Sequence, residues 1–272
     1  TYRFVPQNMR SAALVAWDTA YKMGFLSGYR NAQATVIAPT GTIGLVMDCD
    51  TTGVEPDFAL VKDKQLAGGG FMKLVNTSVA PALEQLAYSA NAIQDILHYI
   101  LGHGRLSTCP TFIRHNATMR LPESIVAHLD AQVPSRMNIQ TLLVPELIGT
   151  EWCQTTLGLS DTTVDAPGFS LLTHFGWSQT DIDEANRFIY GTVTIEGAPH
   201  LDPEHLSIFD CANKCGPYST RYIAPKAHVQ MLGSVQPFIS GGISKTVNLP
   251  HDASIADIDE IYRLAHTLGV KC

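Results

Sequence analysis

The chain has 272 residues, of which 45% are hydrophobic and 16% are charged, and its formal net charge is −7 at pH 7. Typical soluble domains carry roughly 25% charged residues, so this composition indicates either a deep core or a surface that another chain covers. The acidic balance argues against a protein that binds a nucleic-acid backbone, and no apolar run reaches the roughly 20 residues that span a bilayer. We therefore expect a soluble, cytoplasmic protein with no membrane partner and no direct nucleic-acid partner.

The N-terminal segment predicts a helix followed by a strand. Small and apolar residues at helical spacing predict a helix over residues 8–29, with Asn8 or Ser11 as its N-cap and Gly28 near its end. The apolar run at residues 34–38 then predicts a short buried strand. A further helical turn follows it, and this order favours an α/β architecture with parallel strands.

Residues 39–42, with the sequence Pro-Thr-Gly-Thr, join two apolar runs. The N-terminus of a helix offers unpaired backbone N–H groups and a partial positive charge, and two hydroxyls beside a glycine add donors without bulk. The same residues also suit a plain turn in which Thr40 caps a helix, and spacing alone favours this second interpretation. Both an anion site and a helix cap stay open at this point.

The polar loop at residues 48–57 carries four carboxylates. It lacks the spacing and terminal Glu of a calcium loop, so a turn-rich crossover is favoured over a metal cluster. We expect its cysteine, Cys49, to be buried and structural. Further along the chain, Lys245 in "GGISK" suits either a position near an anion or an outward position on a glycine-bent strand.

Amphipathic helices dominate from about residue 78 to residue 195, and the sequence carries a weak internal repeat there. The first repeated helix places an apolar face inward, formed by Ile93, Ile96, Leu97 and Ile100. At a constant offset of 89 residues, the repeat aligns four pairs: Ser89 with Ser178, Ile93 with Ile182, Ile100 with Ile189, and Gly102 with Gly191. Both copies predict a Ser-capped helix that ends in a glycine loop.

The last third predicts a helix over residues 226–236, a glycine-interrupted strand or loop over 239–247, and a closing helix. Ser254 caps the closing helix, Asp257 strengthens its first turn, and Gly269 ends it. The six cysteines are scattered as cytosolic thiols are. Cys211 and Cys215 alone lie close together, and a single CxxxC pair is a poor zinc signature, so we predict no metal site.

Several segments closely resemble the catalytic chain of class II, adenosylcobalamin-dependent ribonucleotide reductases. They are "NAQATVIAPTGTIGLVMDCDTTGVEPDFALVK", "LAGGGF", "EGAPHL", "FDCANKCG", "QPFISGGISKTVN" and "LGVK", in this order along nearly the whole chain. The resemblance implies an α/β fold, the C-terminal half of a ten-stranded α/β barrel with a helical insertion. We accordingly expect a barrel segment at 1–77, the insertion at 78–195 and a closing barrel segment at 196–272.

The resemblance also implies a substrate site. In this family the "APTGTI" segment opens a helix whose N-terminus holds the phosphates of the ribonucleotide. The residues expected to bind them through hydroxyl and backbone N–H groups are Ala38, Pro39, Thr40, Gly41, Thr42 and Ile43.

The family's chemistry, as the resemblance implies it, needs groups that this sequence does not match. Adenosylcobalamin generates a thiyl radical on a cysteine, and a further cysteine pair reduces the ribose. None of the six cysteines aligns with that set, so we expect no catalytic residue here and no activity of this chain alone. The expected partners are a ribonucleotide, the N-terminal half of the barrel and a thiol reductant such as thioredoxin. The alternative is a non-catalytic nucleotide-binding or regulatory half-barrel protein.

Overall fold

The computed structural model describes residues 5–65, 71–164, 166 and 168–271, so the glycines of the "LAGGGF" segment lie outside the described residues. The described chain is mostly helical. The α-helices are α1 (Gln7–Ser27), α2 (Gly41–Val46), α3 (Val79–Gln85), α4 (Ala90–Leu101), α5 (Pro110–Met119), α6 (Glu123–Gln132), α7 (Ile139–Leu142), α8 (Pro145–Ile148), α9 (Thr150–Leu157), α10 (Asp161–Val164), α11 (Leu171–His174), α12 (Gln179–Tyr190), α13 (Pro225–Val235) and α14 (Ile255–Thr267). Short 3-10 helices lie at Val133–Ser135, Pro203–Phe209 and Gln236–Phe238.

Two strands, β1 (Val61–Gln65) and β2 (Phe71–Val75), form an antiparallel pair in which Val61 faces Val75 and Gln65 faces Phe71. The sequence does not predict this pair, and its order of elements favours parallel strands instead. Within the described ranges, the chain holds this two-stranded sheet and one isolated parallel bridge, and no closed barrel.

The parallel bridge joins Ile37 to Ile243, within the two segments predicted as strands. The Ile37 N–H donates to the carbonyl of Gly242 at 3.2 Å, and the Ser244 N–H donates to the carbonyl of Ile37 at 2.9 Å. The expectation of a buried strand at 34–38 is wrong, since Val36 is 66% exposed. A parallel strand is buried when neighbours cover both of its edges and faces, and the described residues supply one neighbouring segment.

Helix α1 is held by few contacts. It begins at Gln7 after Pro6, so the prediction of Asn8 or Ser11 as N-cap is wrong; the fixed φ of proline suits the entry to a helix. Gly28 ends the helix as predicted, with φ 70° and its N–H donating to the carbonyl of Gly24. None of the residues of α1 is buried. No helix in the described ranges is both long enough and apolar enough to cross a membrane.

The internal repeat is confirmed by the ends of its two helices. Ser89 caps α4 by accepting the N–H of Ala92, and Ser178 caps α12 in a capping box with Asp181. Gly102 and Gly191 end the two helices with φ 75° and 76°.

The two glycine loops cross each other, and their hydrogen bonds repeat at the offset of 89 residues. Four backbone bonds join the loops: His103 N–H to Phe188 O, Gly104 N–H to Ile189 O, Thr192 N–H to Tyr99 O, and Val193 N–H to Ile100 O. Adding 89 to the residue numbers of the first copy and subtracting 89 from those of the second turns the first two bonds into the last two. The repeat is therefore a pseudo-two-fold pair of helix-and-loop units.

Because the loops cross, each repeated helix packs with the chain that follows the other copy. The α4 core contains Ile93, Ile96, Ile100, Ile195, Ala198 and Phe209. The α12 core contains Ile182, Ala185, Ile189, Leu106, Cys109 and Phe112. The predicted inward face of α4 is thus confirmed, with Leu97 packed at the edge of its core.

The closing helix α14 begins as predicted. Ser254 and Asp257 form a capping box in which each side chain accepts the backbone N–H of the other residue, and Gly269 follows the helix with φ 70°. Helix α13 packs against it. The approach is close, since a Cβ on Gly233 would lie only 3.0 Å from the side chain of Leu268.

Candidate functional site

The turn before α2 is built around Thr40, which has the left-handed φ of 50°. Its carbonyl accepts the N–H of Gly44 at 2.8 Å, so Thr40 is the residue that opens the helix. Its hydroxyl donates to the carbonyl of Pro39 and accepts the N–H of Gly53, both at 2.9 Å. The single proton of this hydroxyl is therefore already used.

Gly53 closes the other side of this turn. Its φ is 57°, and a Cβ at this position would lie 2.7 Å from the carbonyl oxygen of Ala38. A side chain would therefore push the loop away from the turn. Thr40 and Gly53 together fix where α2 begins.

Three consecutive N–H groups at the start of α2, those of Gly41, Thr42 and Ile43, have no hydrogen-bond partner within the described chain. This is the usual condition of the first turn of a helix. The position where Gly41 would carry a Cβ is open for 4 Å, and all three residues are exposed. The turn thus presents backbone donors to open space, next to the exposed residue Thr42.

A cavity of about 450 Å³ adjoins the turn at Gly41. Its wall carries the carboxylates Asp48, Asp50, Glu55 and Asp57, the ammonium of Lys62, and the exposed thiol of Cys49. The expectation of a buried Cys49 is wrong, because the described residues around the loop do not cover it.

Three of the four carboxylates of the cavity wall, those of Asp50, Asp57 and Glu55, accept hydrogen bonds from the protein itself. Asp50 accepts the Thr77 N–H at 3.0 Å and the hydroxyls of Thr77 and Ser78 at 2.9 and 2.7 Å. Burial tends to raise the pKa of Asp50, but these hydrogen bonds outweigh it and hold the pKa below its ordinary value. Asp57 accepts from Lys62 Nζ at 2.6 Å and from Asn76 Nδ2 at 2.5 Å.

Lys245 does not point outward; it is buried and forms an ion pair with the carboxylate of Glu55. Its side chain is 2% exposed, and its Nζ lies 2.6 Å from Glu55 Oε2 and 2.7 Å from His228 Nδ1. Burial, and then the charge of Lys245, lower the pKa of His228, so this imidazole accepts the hydrogen bond in its neutral form. Glu55 also accepts the Thr246 N–H at 2.5 Å, which joins the loop to the segment that follows the parallel bridge.

The model of the family described as "Ribonucleotide reductase, barrel domain" matches residues 2–119 and 170–272. The chain belongs to the ribonucleotide reductase barrel-domain family. This membership confirms the resemblance from which the family was predicted.

Curated relatives named vitamin B12-dependent ribonucleotide reductase match nearly the whole chain. The relative from Bradyrhizobium diazoefficiens is 45% identical over 262 residues, which are 96% of this chain and 21% of the relative. The relative from Agrobacterium fabrum is 44% identical over 268 residues, 97% of this chain and 21% of the relative. The relative from Streptantibioticus cattleyicolor is 34% identical over 261 residues, 96% of this chain and 28% of the relative. The chain therefore spans between 21% and 28% of the length of these relatives.

Proposed function

We propose that this chain is part of an adenosylcobalamin-dependent ribonucleotide reductase, which converts ribonucleotides to 2′-deoxyribonucleotides by thiyl-radical chemistry. The observation that carries this proposal is the 45% identity, over 96% of the chain, to a relative named vitamin B12-dependent ribonucleotide reductase. Bound cobalamin supplies the radical in the complete enzyme. We assign none of the residues of this chain to the cofactor.

Within this function, the chain binds the substrate phosphates at the start of α2. The N–H groups of Gly41, Thr42 and Ile43 donate to phosphate oxygens, and the Thr42 hydroxyl adds a fourth donor. The unpaired state of these amides and the open space at Gly41 support this assignment. We expected the Thr40 hydroxyl to bind phosphate, but we now assign it to holding the turn in place, because it accepts the Gly53 N–H. Ala38 and Pro39 supply backbone carbonyls to the same turn.

We further propose that the substrate is a ribonucleoside diphosphate. A shorter similarity supports this choice: a relative from Mycobacterium tuberculosis named vitamin B12-dependent ribonucleoside-diphosphate reductase is 35% identical over 77 residues, 28% of this chain. Competition between a diphosphate and a triphosphate of the same ribonucleoside tests it, with preferred reduction of the diphosphate as the expected result.

The barrel requires a second half, which we propose is the N-terminal part of the catalytic domain. The exposed apolar side chains of α1 support this proposal: Trp17, Phe25 and Leu26 are 56%, 80% and 83% exposed. Such a surface is typical of one that another structure covers. In the complete assembly, the segment at 34–38 becomes one strand of the ten-stranded α/β barrel, and the helices between residues 78 and 195 form an insertion.

A complementation assay tests this function. The chain is mixed with the N-terminal part of the Bradyrhizobium relative, and deoxyribonucleotide formation is measured with adenosylcobalamin and a dithiol reductant of the thioredoxin type. We expect no product from either part alone and product from the mixture. Tight nucleotide binding with no product from the mixture would instead support the non-catalytic, regulatory half-barrel protein.

A further inference from the structure

Lys245 is buried where three segments of the chain meet. Its side chain is 2% exposed, and its Nζ lies close to three acceptors. These are Glu55 Oε2 at 2.6 Å, His228 Nδ1 at 2.7 Å and the carbonyl oxygen of Thr246 at 2.5 Å. A lysine ammonium has three protons to donate and accepts none. Each proton therefore has a partner within the chain, and Lys245 has no proton left for a substrate phosphate.

The three acceptors tie Lys245 to different parts of the fold. Glu55 belongs to the polar loop at 48–57, whereas His228 is a buried residue of α13. Thr246 follows the parallel bridge, and its N–H donates to Glu55 Oε1 at 2.5 Å. Both oxygens of this half-buried carboxylate are thus bonded to consecutive residues, and Lys245 supplies the opposite charge that such a group needs. Without the ammonium, the Glu55 carboxylate is more stable in solvent than in its present place.

The segment that carries Lys245 holds the chain on both sides of the turn before α2. Ahead of the turn, Ile37 forms the parallel bridge with Ile243, two residues before Lys245. Behind the turn, the Gly53 N–H donates to the Thr40 hydroxyl at 2.9 Å, and two residues further on the loop carboxylate binds Lys245. The bridge, the ion pair and this hydrogen bond form a closed ring of contacts. The turn therefore keeps its place as long as each of these links is intact.

The same contacts shape the cavity of about 450 Å³ that adjoins the turn. Glu55 and Thr246, which are joined by their hydrogen bond, both line this cavity together with Gly41. If Lys245 were absent, the Glu55 carboxylate would be free to turn into the cavity. Its negative charge would then repel a phosphate bound at the turn. Pairing with Lys245 keeps this charge neutralised and out of the space that the substrate needs.

We propose that Lys245 is a positioning residue, which acts through Glu55 to hold the polar loop and the turn before α2 in the arrangement that binds substrate. This inference rests on the function proposed above, because it adds a residue to the site at that turn. Lys245 touches neither the substrate nor a reacting atom. Its effect reaches the turn through the Glu55 carboxylate and the bond between Gly53 and Thr40.

Amide hydrogen exchange of the full chain, followed by NMR, tests the link between Lys245 and the turn. Lys245→Met keeps a long side chain and removes the charge. We expect the Gly53 and Thr246 amides to exchange about tenfold faster in this variant, because their acceptors are no longer held in place. Lys226→Met is the matched control, since it removes an exposed ion pair with Glu260 that has the same N–O distance of 2.6 Å. Unchanged exchange in Lys245→Met, or an equal increase in Lys226→Met, would overturn the proposal.

A double variant tests whether Lys245 and Glu55 act as one unit. Glu55→Gln with Lys245→Met removes both charges and keeps an acceptor for the Thr246 N–H. It leaves no buried charge without a partner, so it also serves if either single substitution prevents folding. Residues that act together are not additive, so we expect Gly53 exchange about tenfold faster than in the native chain. Exchange at the native rate, or an increase of about a hundredfold, equal to the product of two tenfold effects, would overturn the proposal.

Kinetics of the complemented enzyme with adenosine diphosphate separate this inference from the proposed phosphate site. Lys245→Met should raise KM about tenfold and change kcat by less than about twofold, because binding is lost and the chemistry is not touched. A lower kcat at unchanged KM is what a loss of folded enzyme produces, and it would overturn the positioning role. Faster Gly53 exchange with KM and kcat both unchanged would keep the link between Lys245 and the turn, and would instead contradict the phosphate site.

Discussion

The helices around the α4 and α12 cores differ from α1 and α14 in how much of their apolar surface they bury. In the core helices, side chains such as Ile96 and Leu129 are completely buried. Neither α1 nor α14 has a buried residue, although both are long. The difference indicates that the central helices can fold on contacts within this chain, whereas α1 and α14 bury little of their surface in it.

Substitutions of large apolar residues should separate the two regions most strongly. In the isolated chain, Ile96→Ala should lower the free energy of unfolding by about 2–5 kcal/mol, because it leaves a cavity in a closed core. Leu26→Ala in α1 removes a side chain of similar size that is 83% exposed. This change should alter the free energy of unfolding by less than about 0.5 kcal/mol. Urea unfolding measures both values. Similar losses for the two variants would show that α1 is packed within the chain.

The crossing of the glycine loops gives a second, smaller test within the central region. A Cβ on Gly191 would collide with the carbonyl oxygen of Ile100, and its φ is left-handed. Gly191→Ala should therefore destabilise the chain by about 2–4 kcal/mol.

Gly104→Ala is the matched control for this test. Gly104 also has a left-handed φ, of 64°, but the space for its Cβ is empty for 4 Å. We expect a loss of about 1–2 kcal/mol from backbone strain alone. Equal unfolding midpoints for the two variants would contradict the close crossing of the loops.

Acid should weaken the junction between the central helices and the closing segment. Glu196 accepts hydrogen bonds from Ser219, Thr220 and Arg221, which outweigh its burial and lower its pKa from 4.5 to about 2. A lowered folded-state pKa contributes stability that is present above about pH 4.5 and is lost as the pH falls towards 2. Glu196→Gln should therefore flatten the decline in stability over this window.

The exposed Glu204 supplies the control for the acid test. Its side chain accepts none of the hydrogen bonds recorded in the described chain, so Glu204→Gln should leave the acid dependence unchanged. Urea unfolding at a series of pH values from 2 to 6 is the measurement. An unaltered acid limb in Glu196→Gln would show that this carboxylate does not hold the junction.

The smallest expected effect concerns the turn before α2, where we propose that the substrate phosphates bind. Thr42→Val should weaken nucleotide binding to the complemented enzyme by about 1 kcal/mol, since one hydroxyl donor is lost. Isothermal titration with the diphosphate substrate measures it. Thr40→Val should instead release the loop from the turn, because Gly53 loses its acceptor. Unchanged affinity in Thr42→Val would remove its hydroxyl from the site.

Local signals predicted the parts of the fold that depend on neighbouring residues. The serine caps and terminal glycines of α4 and α12, and the capping box of α14, could be found because each involves residues three or four positions apart or the end of a periodic pattern. The start of α1 was missed, since Asn8 and Ser11 suit a cap as well as Pro6 does. The strand pair at Val61–Gln65 and Phe71–Val75 was missed, since its residues do not alternate cleanly between polar and apolar.

Contacts between distant segments could not be predicted in the same way. Glu55 and Lys245 are 190 residues apart, and neither position signals the other in the sequence. The turn at Thr40 was found because hydroxyls flank a glycine there, but its bond to Gly53 depends on how the loop returns. The exposure of Cys49 and Val36 depends on which distant segments pack beside them, and no local pattern of residues gives that.

Hydrogen exchange, measured with and without the N-terminal part of the catalytic domain, is the most direct test of the difference between the two regions. The claim is that α4 and α12 are stable within this chain, whereas α1 is stabilised by contacts with the N-terminal part. For the isolated chain, we predict slow amide exchange in α4 and α12 and fast exchange in α1. Adding the N-terminal part should slow exchange in α1 and around Ile37 and leave α4 and α12 unchanged. Slow exchange of α1 in the isolated chain, or no change on adding the partner, would contradict the account.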